Sequence, residues 1–145
     1  MDSILLKRKA THKNLHKAAY LKAEKETARL REMWENGESQ VRLLQVAFHL
    51  IDHWEKTTLT HAEDEEKNLY VDMVRYYPKL SFYVMELIEE HELLRHLVKE
   101  SKEFLINQGF HENVLSRFET LLLVNEYHNL KEEARLLGIH YEKES

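Results

Sequence analysis

The chain has 145 residues, with 21 Lys and Arg against 26 Asp and Glu, a formal net charge of −5, ten histidines and no cysteine. That length suits one domain spanning residues 1–145, and the mild negative balance, with neither sign gathered into a long block, argues against a nucleic-acid partner. The lack of cysteine excludes disulfides, thiolate nucleophiles and cysteine-held clusters, so any bound metal must be held by nitrogen and oxygen.

Helix breakers are scarce. Gly37, Pro78, Gly109 and Gly138 are the whole inventory of Gly and Pro, and they divide the chain into four segments rich in Leu, Glu, Lys, Arg and Ala with apolar residues recurring at three and four. The first segment closes at Asn36-Gly37 and carries Leu5, His12, Ala19, Ala23 and Leu30 on one stripe. The second, ending at Tyr77-Pro78, aligns Leu43, Ala47, Leu50, Trp54, His61 and Glu65. The third, ending at Asn107-Gln108-Gly109, aligns Leu80, Val84, Leu87, His91, Leu94 and Val98, and the fourth, closed by Gly138, aligns Leu115, Phe118, Leu121, Leu122, His128 and Glu132. The connections are short, which makes neighbours antiparallel. The expectation is an all-α fold, an up-down-up-down antiparallel four-helix bundle.

The opening Met1–Lys9 stretch lacks the apolar core of a signal peptide, and the longest apolar run elsewhere is Leu121 to Val124. No membrane association and a cytoplasmic location are expected.

Every segment places a histidine on its inward stripe, and two of them add a glutamate four residues later. In an antiparallel hairpin, residues equidistant from the turn lie at one level. His12 and His61 straddle Gly37, Glu65 and His91 straddle Pro78, and His91 and His128 straddle Gly109. Six polar groups, His12, His61, Glu65, His91, His128 and Glu132, thus converge in one interior with no lysine or arginine among them, which is costly unless a cation binds them. A single His-x3-Glu pair is ordinarily a solvated helix contact; two pairs with two further histidines form a candidate metal site. Four imidazoles and two carboxylates suit two first-row transition ions, iron before manganese or zinc. The ferritin-like pattern requires Glu-x-x-His, and no histidine here has a glutamate three residues before it.

His16 lies about 40° from His12 on the same face, as a further ligand or an outer support. Glu90 lies about 100° from His91 and reads as an outer support or a surface residue. The stretch from His91 to His96 nearly spells the zinc-protease motif, but its second histidine comes one residue late and points about 140° away. His49, His53, His111 and His140 read as surface or core-edge residues, Tyr70, Tyr76, Tyr77 and Tyr83 as packing around the second turn, the alternative being a redox-active tyrosine near the metal ions, and the acidic run Glu63–Glu66 as mostly a solvated face, with Glu65 the exception.

His12, the His61/Glu65 pair, Glu90-His91 and the His128/Glu132 pair make the chain resemble the hemerythrin-like, or HHE cation-binding, domain family over nearly its whole length. The resemblance implies a non-heme di-iron centre, oxo- or hydroxo-bridged with two bridging carboxylates, that meets O2, NO or peroxide. Oxygen carriers of that family have a histidine four residues after the third-helix one, where this chain has Arg95, and a carboxylate five residues after the last histidine, where Glu133 stands. Reversible oxygen carriage is therefore not implied. Three roles stay open at this stage: a di-iron binding or sensing protein, an enzyme acting on NO or peroxide or repairing iron centres, and a metal-free structural bundle.

Overall fold

The computed structural model describes the backbone of residues 2–144 and the side chains of residues 13–135. It is all-helical, with no strand among the described residues: α1 (Asp2–Glu35), α2 (Gln40–His53), a π-helical stretch (Trp54–Leu59), α3 (Thr60–Lys67), α4 (Leu69–Tyr76), a 3-10 turn (Pro78–Leu80), α5 (Ser81–Gln108) and α6 (Glu112–Glu144). The four arms so formed pack as a helical bundle, α1 against α2 and α6, and α5 against α2, α4 and α6.

The turns follow from local chemistry. Gly37 adopts φ +70°, its N–H donates to Trp34 O at 3.2 Å, and Glu38 N–H reaches Met33 O at 3.0 Å, so two otherwise orphaned carbonyls of α1 are satisfied. Ser39 then caps α2, its hydroxyl accepting the Arg42 N–H at 3.4 Å. At the same end Gln40 clamps the loop after α5, its Nε2 donating to Phe110 O at 2.8 Å and its Oε1 accepting the Phe110 N–H at 3.1 Å. Tyr77-Pro78 ends α4 as expected. Gly138 does not end the last helix; α6 continues through it to Glu144.

The second arm is interrupted, which straight helical periodicity did not foresee. Residues 54–59 form a wider π turn, where the Thr60 hydroxyl donates to the Glu55 carbonyl at 2.9 Å and the Thr57 hydroxyl to the His53 carbonyl. A second break falls at Asn68, between α3 and α4. Such wide turns recur at functional sites because they re-aim the side chains that follow.

Two apolar clusters bracket a polar layer. The larger gathers Leu30, Leu43, Ala47, Leu50, Trp54, Leu94, Val98, Phe110, Leu115, Phe118 and Leu121; the smaller gathers Tyr70, Met73, Val84 and Leu87. Each fully buried large side chain contributes roughly 1.5–3 kcal/mol. On α5, Leu87 belongs to the smaller cluster and Leu94 to the larger, with His91 one turn from each. The site therefore lies inside the bundle.

Gly109 has φ +82° and ψ −168°, a region that only glycine enters freely, and a Cβ there would stand 3.1 Å from Gln40 Oε1. Gly109→Ala should cost about 1–3 kcal/mol, more than the about 1 kcal/mol expected for Gly37→Ala, where a Cβ meets nothing within 4 Å. Urea denaturation of the two variants checks the order; an equal or smaller loss at Gly109 would contradict it.

Candidate metal centre

Six side chains from four helices converge between the two apolar clusters. Within helices, a four-residue spacing puts His61 beside Glu65 on α3 and His128 beside Glu132 on α6. Across helices, α1 supplies His16 and α5 supplies His91. Glu65, His91, His128 and Glu132 bring one donor atom each within 4.8 Å of one another, and so do His16, His61 and Glu65. The first four and His16 are buried; the His61 side chain is 23 % exposed.

The carboxylates are oriented alike. Glu65 Oε1 stands 3.4 Å from His91 Nε2, while its Oε2 stands 3.7 Å from His16 Nε2 and 3.9 Å from His61 Nε2. Glu132 Oε2 stands 3.2 Å from His128 Nε2, while its Oε1 stands 3.8 Å from His16 Nε2. Each carboxylate thus turns one oxygen toward the His91/His128 pair and the other toward the His16/His61 side.

His12 lies outside the described side chains; the α1 donor that the described residues place in the cluster is His16, one turn further on. Glu90 accepts from His128 Nδ1 at 2.8 Å. Glu133 is half-buried, belongs to neither donor group, and has its carboxyl raised by burial.

Carboxylates also hold the outer nitrogens of two histidines. His91 Nδ1 lies 2.9 Å from Glu66 Oε2, and Glu66 is gripped by the Arg95 guanidinium. His128 Nδ1 meets Glu90, which is in turn held by Lys131 Nζ at 3.1 Å, and Lys131 also pairs with Glu86 at 2.8 Å. A proton kept on Nδ1 leaves the Nε2 lone pair facing the interior, the arrangement that makes imidazole a ligand. Glu66 corrects the reading of Glu63–Glu66 as a solvated face beyond Glu65. Its signal was present, because Glu66 and His91 also straddle Pro78. Arg95 fits the same correction: its side chain anchors the carboxylate that orients His91.

Tyr70 packs in the smaller cluster, as expected of the tyrosines around the second turn, and also reaches the donors. It is buried, its hydroxyl donates to Glu132 Oε2 and stands 3.4 Å from His91 Nε2, and its ring stacks on His91 with centroids 5.5 Å apart. Tyr83 packs beneath the Arg135 guanidinium. His53 takes the core-edge place expected of it. About 60° from Leu50 around α2, it is buried, with Nε2 3.1 Å from the Ala19 carbonyl of α1. His96 is two-thirds exposed and pairs with Glu100 at 3.1 Å, away from the cluster.

A cavity of about 380 Å³ opens beside the centre, and His16, His53, His61, Glu65, His91 and His128 form part of its wall.

Burial governs the electrostatics. It raises Glu65, reinforced by the hydrogen bond and charge of Glu132, up to about 12, so this carboxyl keeps a proton next to its partner. Burial, then the neighbouring His128, brings His91 down to about 4, and burial lowers His61 as well. Burial also works against charged His128, but the carboxylates of Glu132 and Glu90 outweigh it and lift its pKa. Tyr70 is held protonated by burial and by the charges of Glu132 and Glu65. Imidazole nitrogens and buried carboxyl groups, with Arg95 and Lys131 engaged at the outer carboxylates, fit a first-row transition ion.

No family model, curated protein or solved structure matches this chain.

Without metal, the native state retains a Glu65 proton that the unfolded chain gives up above pH 4.5, so the stability this proton contributes is lost as pH rises from 4.5 toward about 12. His91 acts oppositely, losing stability as pH falls through 6.5 toward about 4. Metal-free protein should therefore lose stability above about pH 6.5, by up to about 1.4 kcal/mol per pH unit. Glu65→Gln should flatten that slope in denaturation curves run from pH 6.5 to 9; an unchanged slope would remove Glu65 from the account.

Proposed function

We propose that this chain is a hemerythrin-like, non-heme di-iron protein, folded as an up-down-up-down antiparallel four-helix bundle, that binds, senses or reacts with O2, NO or peroxide. The supporting observation is the orientation of Glu65 and Glu132: each directs its two oxygens at opposite groups of histidines, as a carboxylate does when it joins two ions. His91 and His128 would hold one ion, His16 and His61 the other, with Glu65 and Glu132 between them. Manganese or zinc could occupy the same donors, with iron favoured by the mixed imidazole and carboxylate set. Two bound iron ions supply Lewis acidity and redox equivalents close together inside the bundle.

The chain's own residues prepare the site. Glu66 and Glu90 fix the rings of His91 and His128, and Tyr70 steadies Glu132 through its hydroxyl. The proton that burial keeps on Glu65 would have to leave for this carboxylate to hold an ion, so acid release is expected to accompany loading. No helix among the described residues is long and apolar enough to cross a membrane, and with the absence of cysteine this supports a cytoplasmic role. An enzymatic role in NO or peroxide reduction, or in repair of iron centres, uses the same site, and the cavity that reaches all four histidines favours it.

Protein produced in iron-replete cells should carry about two iron atoms per chain. Iron should raise the melting midpoint over chelator-treated protein by something on the order of 10 °C. His61→Ala and Glu132→Ala should lose at least one iron, whereas His96→Ala should keep both. Elemental analysis with paired thermal scans is the check. One tetrahedral zinc, or a midpoint that ignores the chelator, would leave the chain a zinc protein or a structural bundle.

A further inference from the structure

The cavity beside the cluster is larger than a diatomic ligand needs. At about 380 Å³ it has the volume of about thirteen liquid waters, and it falls within the range of small-molecule sites. Its walls divide by chemistry. Four histidines of the cluster and Glu65 form one end, Leu15, Ala18, Ala19 and Leu94 supply apolar surface, and Lys22 is an exposed cation at the rim. Two polar groups stand in the wall. Asn125 on α6 is only 3 % exposed. The buried hydroxyl oxygen of Thr58, in the π turn, has no hydrogen-bond partner among the described residues. A buried polar group left this way is costly unless something else meets it.

We propose that this cavity binds a small organic acid, its carboxylate at the metal end within reach of Asn125 and Thr58 and its short aliphatic body along Leu15, Ala19 and Leu94. A carboxylate matches each feature: anionic oxygen suits first-row ions, it accepts from amide and hydroxyl donors, and Lys22 attracts it at the mouth. The apolar wall accounts for the volume that a diatomic would leave unfilled. This inference rests on the two-ion reading above.

The test is a titration of iron-loaded protein with azide, formate, acetate, butyrate and hexanoate, read by calorimetry and by the near-ultraviolet and visible spectrum. Azide should bind, and the carboxylates should tighten by about two- to fourfold per methylene up to butyrate. Asn125→Leu should weaken acetate and butyrate about tenfold or more. Thr58→Val, on a different element, should weaken them in the same direction. Ala19→Phe should abolish the gain from acetate to butyrate while iron content and azide binding stay as in the parent. Azide binding with carboxylate affinities that are flat along the series, or unaffected by all three substitutions, would overturn the organic-acid proposal and leave the two-ion centre standing. Failure to hold iron or to bind azide would overturn the two-ion reading, and this inference with it.

Discussion

The structure depends on two carboxyl groups, Glu65 and Glu132, facing each other in a layer that excludes water. Glu65 is 3 % exposed and Glu132 not at all. Two like charges there cannot both persist without compensation, which is why one proton stays with the pair and why each oxygen has an imidazole nitrogen or the Tyr70 hydroxyl as its neighbour. A purely structural bundle would gain from replacing such a layer with apolar side chains. The apolar clusters above and below supply the stability that lets it be kept, and their rigidity holds six donors from four helices in place.

Support extends outward in a graded way. The imidazoles of His91 and His128 touch Glu65 or Glu132 inside and Glu66 or Glu90 outside, and the outer carboxylates meet Arg95 and Lys131 near the surface. Charge is thus neutralised in successive steps from solvent to interior, and the tautomer of each ring follows from those contacts. The same contacts give Arg95 its place. At that position a cation that fixes Glu66 contributes to the orientation of His91.

Much of this was legible in the sequence because few residues can break a helix here. Gly37, Pro78 and Gly109 mark real ends, and the 3.6-residue period then puts His61, Glu65, His91, His128 and Glu132 inward at matching levels. What was not legible has physical reasons. Positions four apart on a helix differ by only about 40°, so periodicity does not separate His12 from His16, and the described residues place His16 in the cluster. Gly138 carries no obligation to end a helix, and α6 passes through it. The π turn at Trp54–Leu59 leaves no mark in a hydrophobic pattern, since its threonine hydroxyls act on carbonyls. Tyr70 belongs to the smaller cluster, and a hydrophobic pattern does not report that its hydroxyl meets Glu132 or that its ring stacks on His91.

The central claim is that Glu65 and Glu132 each join two ions. Anomalous diffraction from crystals of iron-loaded protein, recorded on both sides of the iron edge, tests it most directly. The account predicts two peaks about 3.5–4 Å apart, one beside His91 and His128, the other beside His16 and His61, with Glu65 and Glu132 between them. A single peak, or none among these residues in protein shown to contain iron, would contradict it.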